Sequence, residues 1–296
     1  MKGICKTKEV KTTRLTAIFG STSDEEKVLP GIVRAGKELP SLEVAVFYAS
    51  ADNTPEKVAK IMAELKARTE MKVYICGAGM SNVLTGVVKT YATISDIVIG
   101  IPITDSVTHG LSSFLSTAEK PPLNPVLTVG LDNSYAALNI GYRFLQSRFN
   151  ETIAVLNNEH IGKESMDELE KAFNDLNLKY QIKDIEEIKR NDVVVTIFNS
   201  RGNYINRIDR QLRNGVQICI REPPIYDFFE YMRDLHETVA TGVVSIGSYK
   251  NAVQIAAQLT QSYAAFGIIE EAKQKKSKTL NDHNGVLVVN GEVKTL

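Results

Sequence analysis

The sequence lacks an excess of either charge, paired cysteines and any long apolar run. With 35 basic and 35 acidic residues in 296, its formal net charge is zero, which argues against a nucleic-acid partner. Cys5, Cys76 and Cys219 have no paired spacing, which predicts reduced thiols and a cytoplasmic location. No apolar stretch approaches the roughly 18 residues that span a bilayer. The first twenty residues have no signal-type core, so we expect no membrane partner.

Histidine is also scarce, with four residues in the chain. His160, His236 and His283 are scattered and do not have the spacing of a metal site. Apolar residues, by contrast, make up 43% of the 296 positions, which suits two globular α/β domains of ordinary size. We place these domains at residues 1–150 and 151–265, followed by a tail at 266–296.

The first apolar run ends in a short polar loop, Gly20-Ser21-Thr22-Ser23-Asp24, that leads into a helix-like segment. A strand that turns through glycine and serine into a helix N-terminus aims free N–H groups and two hydroxyls at one point. That arrangement suits a phosphate group. The alternative is that Ser23 or Asp24 only caps the helix.

Two further apolar runs end in similar loops. Residues 44–48 lead into Ala49-Ser50-Ala51-Asp52-Asn53-Thr54-Pro55, where Pro55 suits the first position of a helix over 56–68. Residues 72–76 lead into Gly77-Ala78-Gly79-Met80-Ser81-Asn82, whose small residues allow a ligand close to the backbone. In an open parallel sheet, loops at the carboxyl ends of strands meet where ligands bind. We therefore expect one pocket formed by three loops.

Two more motifs follow, Gly110-Leu111-Ser112-Ser113-Phe114-Leu115-Ser116 and Asn133-Ser134-Tyr135-Ala136-Ala137. In this order the five motifs resemble the PurE family of aminoimidazole ribonucleotide carboxylases and mutases, over about residues 15–149. The resemblance implies a flavodoxin/Rossmann-like three-layer α/β fold with a parallel sheet. It also implies that a carboxylate from carbon dioxide or bicarbonate is added to a phosphorylated ribonucleotide, or moved on it, with no metal or organic cofactor. Residues 78–82 are more similar to the branch that uses carbon dioxide directly.

The resemblance also implies roles for the loop residues. Ser21, Ser23 and Asp24, with Gly20 beside them, would hold the phosphate and ribose. Ser50 and Ala51, with Gly77, Ala78, Gly79, Ser81 and Asn82 of the third loop, would enclose the imidazole. The family has a histidine that shuttles the ring proton, followed by an arginine that helps to hold the phosphate. This sequence has Asp52 and Asn53 at those positions.

The exchange at Asp52 and Asn53 leaves two interpretations open. A carboxylic acid is ordinarily a stronger acid than an imidazolium, so Asp52 could replace the histidine only in a pocket that favours its protonated form. Asn53 offers one amide where arginine offers a planar fork of donors. The alternative is that both are turn residues in an inactive nucleotide-binding or structural homologue. His109, on the loop after the fourth strand, is a speculative second catalytic candidate or a solvated surface residue.

The second half resembles a degenerate copy of the first. At an offset of 121 residues Val73 falls on Val194, and Pro102 falls on Pro223. The offset is 137 near the start and falls to 121 at the third strand, so about sixteen residues are missing around the second strand and its helix. Near the end the offset is about 117.

The ligand loops of this copy have a different chemistry. Residues 157–161, Asn-Asn-Glu-His-Ile, put a carboxylate where a phosphate would lie. We expect this half to lack an anion-accepting cleft and to act as a packing surface, in place of a second subunit. The alternative is a regulatory pocket that uses Arg201, Arg207 and Arg210.

The tail is predicted to be a helix from Tyr263 to Lys273 that stops at the charged residues 273–276, followed by a hairpin with Asn290-Gly291 in a type I′ turn. Family members with one domain form octamers. By that resemblance, a fused pair of domains predicts a homotetramer.

Overall fold

The computed structural model describes residues 12–67, 73–158, 160–198, 205–222, 228–282, 286–289 and 292–295. In the first half the strands are β1 (Thr13–Phe19), β2 (Leu42–Tyr48), β3 (Val73–Ala78), β4 (Ile97–Pro102) and β5 (Leu127–Thr128). The helices are α1 (Glu25–Glu38), α2 (Pro55–Lys66), α3 (Val83–Tyr91), α4 (Leu111–Ala118) and α5 (Ser134–Gln146).

The second half continues the alternation of strands and helices. Its strands are β6 (Ile153–Leu156), β7 (Tyr180–Lys183), β8 (Val193–Phe198), β9 (Val216–Arg221) and β10 (Thr241–Val243). Its helices are α6 (Lys163–Asp175), α7 (Ile205–Gln211), α8 (Phe228–His236), α9 (Tyr249–Leu259) and α10 (Tyr263–Asn281). The hairpin strands β11 (Val286–Val289) and β12 (Glu292–Thr295) follow. The predicted turn at Asn290-Gly291 lies outside the described residues.

Ten strands form one sheet in the order β2-β1-β3-β4-β5-β10-β9-β8-β6-β7. Strands β1 to β5 are parallel, in the flavodoxin-like order 2-1-3-4-5, and strands β6 to β10 repeat that order. The two sets meet where β5 and β10 pair antiparallel, at Thr128 and Val243. The carboxyl ends of the two sets of strands therefore lie at opposite ends of the sheet.

Helices cover both faces of this sheet, which explains why β4, β8 and β9 are buried along their whole length. One continuous apolar cluster joins strand residues to α1, α5, α6 and α9. A second cluster packs α2 and α3 on the alternate residues of β1, β3 and β4, among them Ile18, Tyr74 and Val98. Cys76 and Cys219 are buried free thiols, and burial raises the pKa of both.

One helix of each half forms hydrogen bonds with the other half, near the place where β5 and β10 pair. From α5, Arg143 Nη1 donates to the carbonyls of Leu212 and Gly215, at 2.8 Å each. From α9, Gln258 Nε2 donates to the carbonyls of Ile94 and Asp96, at 2.8 and 3.0 Å. The two halves therefore hold each other through reciprocal contacts.

Two segments test the predicted lengths. The connection from β7 to β8 contains a single 3-10 turn, Ile185–Glu187, where the first half has α2, as the residues missing around the second strand and its helix led us to expect. The prediction that the tail helix stops at residues 273–276 was wrong, because α10 continues to Asn281. Lysine and glutamine are good helix formers, and lysines near a helix C-terminus interact favourably with its dipole. No helix within the described ranges is long and apolar enough to cross a membrane.

Candidate functional site

A pocket of about 490 Å³ lies at the carboxyl ends of β1, β2 and β3. All three predicted loops contribute to it. Its lining residues are Gly20, Ser21, Ser23, Asp24, Ser50, Ala51, Asp52, Asn53, Ala78, Gly79, Met80, Ser81 and Leu84. The structure thus brings together ten of the ligand-binding candidates, together with Asp52.

The first loop forms a capping box between β1 and α1. Ser21 Oγ accepts from the Ser23 N–H at 3.1 Å, and the Ser21 N–H donates to Asp24 Oδ2 at 3.2 Å. The side-chain cap is therefore Ser21, not Ser23 or Asp24 as the capping alternative supposed. The two serine hydroxyls are 2.7 Å apart and exposed, so they can turn together toward an anion in the pocket.

Asp24 is a buried carboxylate in this lining, with 6% of its surface exposed. Burial raises its pKa above the ordinary value, and the negative charge of Asp132 acts in the same direction. The hydrogen bond from the Ser21 N–H and the positive charge of Lys27 oppose the rise but do not cancel it. A strongly desolvated acceptor of this kind suits a hydroxyl of a bound sugar.

We expect Asp24→Asn to lower kcat/KM by about 10- to 100-fold, because hydrogen bonds to charged groups contribute roughly 1.5–3 kcal/mol. It should not lower the Tm. The raised pKa means that the ionised carboxylate opposes folding above its pKa, so at neutral pH the neutral amide should raise the Tm by about 1–3 °C. That gain should vanish below roughly pH 4, where the carboxyl is protonated in both states. Steady-state kinetics and thermal melts across pH measure both effects.

Asp184→Asn is the matched control, because Asp184 also forms a capping box at a strand end, in the second half. It should leave kcat/KM unchanged. Equal activity losses in the two variants would contradict the assignment of Asp24 to the pocket.

The second loop is organised around Ser50. Its Oγ accepts from the backbone N–H groups of Asp52 and Asn53, at 3.3 and 3.1 Å, and from Asn53 Nδ2 at 3.3 Å. Thr54 precedes α2 but makes no side-chain cap, since its Oγ1 accepts from the Ser50 N–H at 2.9 Å. This turn fixes the backbone of Asp52 and leaves its side chain exposed at the pocket.

The third loop approaches the first very closely. The Gly20 N–H donates to the Gly77 carbonyl at 2.9 Å, and a Cβ on Gly77 would lie 2.8 Å from the Phe19 ring. Asn82 is fully buried, and its Oδ1 caps α3 by accepting from the Thr85 N–H at 3.3 Å. Gly77 and Asn82 therefore do not line the pocket. Their contacts instead fix the conformation of the third loop.

One predicted residue lies outside the pocket, and two residues that were not predicted line it. His109 is exposed on the loop after β4, at a φ of 52°, and is not among the lining residues. Met80, with 67% of its surface exposed, and the buried Leu84 do line the pocket, although the sequence did not single them out. Among the residues that the structure describes, no three His, Cys, Asp or Glu side chains are grouped to hold a metal ion.

A second depression of about 300 Å³ lies at the carboxyl ends of β6 and β7, where the sequence predicted no anion-accepting cleft. Asn157, Asn158, Asp184 and Glu186 line it. Arg207, also in the lining, pairs with Glu186 at 2.6 Å on an exposed surface. A space therefore remains in the second half, but its lining contains two carboxylates, His160 and an arginine that is already paired. Arg201 lies outside the described residues.

The fold and the pocket define a flavodoxin-like α/β protein with its ligand loops at the carboxyl ends of parallel strands. The sequence model for AIR carboxylase matches residues 14–185. The chain belongs to this family, and the resemblance drawn from the five motifs is confirmed.

Relatives with two enzyme names are similar to the chain. It is 34% identical over 145 residues to N5-carboxyaminoimidazole ribonucleotide mutase of Pyrococcus abyssi, which covers 48% of this chain and 79% of that protein. The mutase of Methanocaldococcus jannaschii is 35% identical over 154 residues, 52% of this chain and 87% of that protein. Phosphoribosylaminoimidazole carboxylase of Candida glabrata is 32% identical over 171 residues, which cover 57% of this chain and 29% of that protein.

Proposed function

We propose that the chain adds a carboxylate to the ring of an aminoimidazole ribonucleotide, or a related ribonucleotide, or moves one onto it, as a step of purine biosynthesis. The observation that carries this proposal is the single pocket of about 490 Å³ into which all three predicted loops converge. Family membership supports the reaction class, and the names of the relatives, both mutases and carboxylases, support both the transfer and the addition of a carboxylate.

In this proposal the first loop holds the phosphoribosyl group. Ser21 and Ser23 offer adjacent exposed hydroxyls at the start of a helical segment, where backbone N–H groups favour an anion. Asp24 accepts from a ribose hydroxyl. The absence of an arginine at position 53 leaves the phosphate to these groups and to Asn53.

The second and third loops hold the ring. Ser50 and Ala51 lie on one side, and Ala78, Gly79 and Ser81 on the other, so small residues leave room for a flat heterocycle. In carboxylation, a bond forms between a ring carbon and the carbon of carbon dioxide, and the proton on that ring carbon leaves to a base. Asp52 is the base in this proposal, because it lies in the lining where the family has its histidine. Its side chain is exposed in the open pocket, so the bound ribonucleotide would have to complete the surroundings that this role requires.

An ultraviolet assay with aminoimidazole ribonucleotide and bicarbonate, run beside thermal melts with the ribonucleotide, tests the proposal. We expect turnover and a rise in Tm on binding. Ser23→Ala should raise KM about 10-fold or more, because it removes a hydrogen bond to a charged group.

Ser277→Ala, on the exposed face of α10, is the matched control and should change neither quantity. No turnover by the unaltered chain, together with no shift of the Tm, would overturn the proposal for this substrate.

We further propose that the second half is a degenerate repeat that replaces a second subunit. The repeated strand order and the reciprocal contacts of α5 and α9 support this. On that basis four cytoplasmic chains would make the family's eight-unit assembly. Sedimentation equilibrium tests the tetramer, and a monomer mass would refute it.

A further inference from the structure

Arg221, the last residue of β9, is a buried arginine without hydrogen bonds to match its donors. Only 2% of its surface is exposed, and its Nε and Nη1 atoms have no hydrogen-bond partner. The hydroxyl of Tyr231, a residue with 3% exposure, is also buried without a partner. Three polar atoms that would ordinarily be satisfied in a folded protein are therefore unsatisfied within one small region.

The neighbours of Arg221 whose side chains the structure describes provide contact but no counter-charge. Its guanidinium carbon lies 5.0 Å from the centre of the Phe198 ring and 5.7 Å from that of Tyr231. These two rings are stacked, with centres 5.4 Å apart. Rings attract a cation weakly compared with a carboxylate and accept no strong hydrogen bond. Among the carboxylates whose side chains the structure describes, none forms an ion pair with Arg221.

The adjacent carboxylate is directed elsewhere. Glu222 follows Arg221 in the chain, and its Oε1 accepts from Ser165 Oγ. A buried cation without a counter-charge costs far more than an exposed one. Such a group persists in folded proteins where an anion compensates it.

Arg221 lies at a strand end beside the second-half counterpart of the first pocket. Phe198 pairs with Arg221 in the sheet as Ala78 pairs with Pro102, so Arg221 has the position of Pro102, which the offset of 121 assigned to Pro223. The same backbone hydrogen bond follows each pair. The Glu222 N–H donates to the Phe198 carbonyl at 2.9 Å, and the Ile103 N–H donates to the Ala78 carbonyl at 3.1 Å. Ala78 lines the ribonucleotide pocket, and Phe198 is its counterpart. Arg221 lies beside Phe198 at the carboxyl end of the next strand, at the edge of the second half where α/β sheets bind ligands.

We propose that Arg221 and Tyr231 form a second ligand site, one that binds an oxyanion group, phosphate or carboxylate, of a small molecule. The guanidinium supplies charge and an unpartnered N–H donor, and the phenol supplies a further hydrogen bond. This site uses a side-chain cation where the first pocket uses glycine, serine and backbone N–H groups. It is independent of the function proposed for the first pocket.

Calorimetric titration of the Ser23→Ala chain with inorganic phosphate, and separately with acetate at the same ionic strength, tests the site while anion binding in the first pocket is weakened. We expect one anion to bind at a single site. Arg221→Met should weaken that binding at least tenfold. Without added anion it should melt no lower than its Ser23→Ala parent, because the uncompensated charge is gone.

Tyr231→Phe in the same background keeps the test decisive if Arg221→Met fails to fold. Loss of the hydroxyl should lower the affinity for the anion several-fold, while the aromatic packing persists. The relative affinity for phosphate and acetate identifies the group that the site takes. Binding of neither anion, or binding that both substitutions leave unchanged, would overturn the proposal whatever the outcome of the ribonucleotide assay.

Discussion

Asp52→Asn is expected to lower kcat by about 10²- to 10⁴-fold, the usual contribution of a positioned acid or base. An amide has the shape of the carboxyl group but cannot take the ring proton. KM should change little, since the phosphoribosyl group is held by the first loop. Because Asp52 is exposed and its turn is fixed by Ser50, the Tm should remain within about 1 °C of the parent. Single-turnover rates of the purified variant measure the effect.

Two further variants make this result specific. Asp167→Asn, an exposed change on α6, should leave the rate unchanged. Asp52→His should remain active and move the acid limb of the rate profile toward the imidazole range, near pH 6.5 or so. Full activity in Asp52→Asn would exclude Asp52 as the base and direct attention to Asp24 or His109.

Arg143→Met is expected to have the largest effect on stability, a loss of about 2–5 kcal/mol in the free energy of unfolding. Methionine preserves much of the packing of the side chain. It leaves the carbonyls of Leu212 and Gly215 without the donor that each has at 2.8 Å. Burial already lowers the pKa of Arg143, which shows how strongly the group is desolvated. Urea unfolding followed by far-ultraviolet circular dichroism measures the loss.

Arg148→Met provides the comparison, because Arg148 is exposed just after α5. Its substitution should cost no more than about 0.5 kcal/mol. A similar small cost for Arg143→Met would mean that the contact between α5 and the second half does not hold the halves together.

The three-loop pocket was predictable because its signals are local. Each loop follows a short apolar run and contains glycine, serine, aspartate or asparagine, which have marked turn and cap preferences. Parallel strands then bring the loops to one edge, so chain order alone places Ser21, Ser50 and Ser81 together. Pro55 marked the start of α2 for the same local reason.

The joint between the halves was not predictable in this way. Strands β5 and β10 are two and three residues long, and no local preference specifies that they pair with each other. Their pairing depends on α5 and α9, which cross to the opposite half through contacts between residues distant in sequence. The sequence predicted a repeat but not the single sheet that the two sets of strands form.

The burial of charged side chains could not be predicted from the sequence either. Arg221 ends an apolar run and Arg143 lies on an ordinary amphipathic helix, so neither pattern distinguishes a buried guanidinium from a solvated one. The sequence analysis instead selected Arg207 and Arg210, and Arg207 is exposed and paired with Glu186. Burial of a long cationic side chain is set by tertiary packing, which only the structure displays.

The antiparallel pairing of β5 with β10 has a consequence for the reach of one ligand. The loops around Ser21 and the strand end at Arg221 lie at opposite edges of the sheet, because the two sets of strands run in opposite directions. Within one chain, a single small molecule therefore cannot contact both.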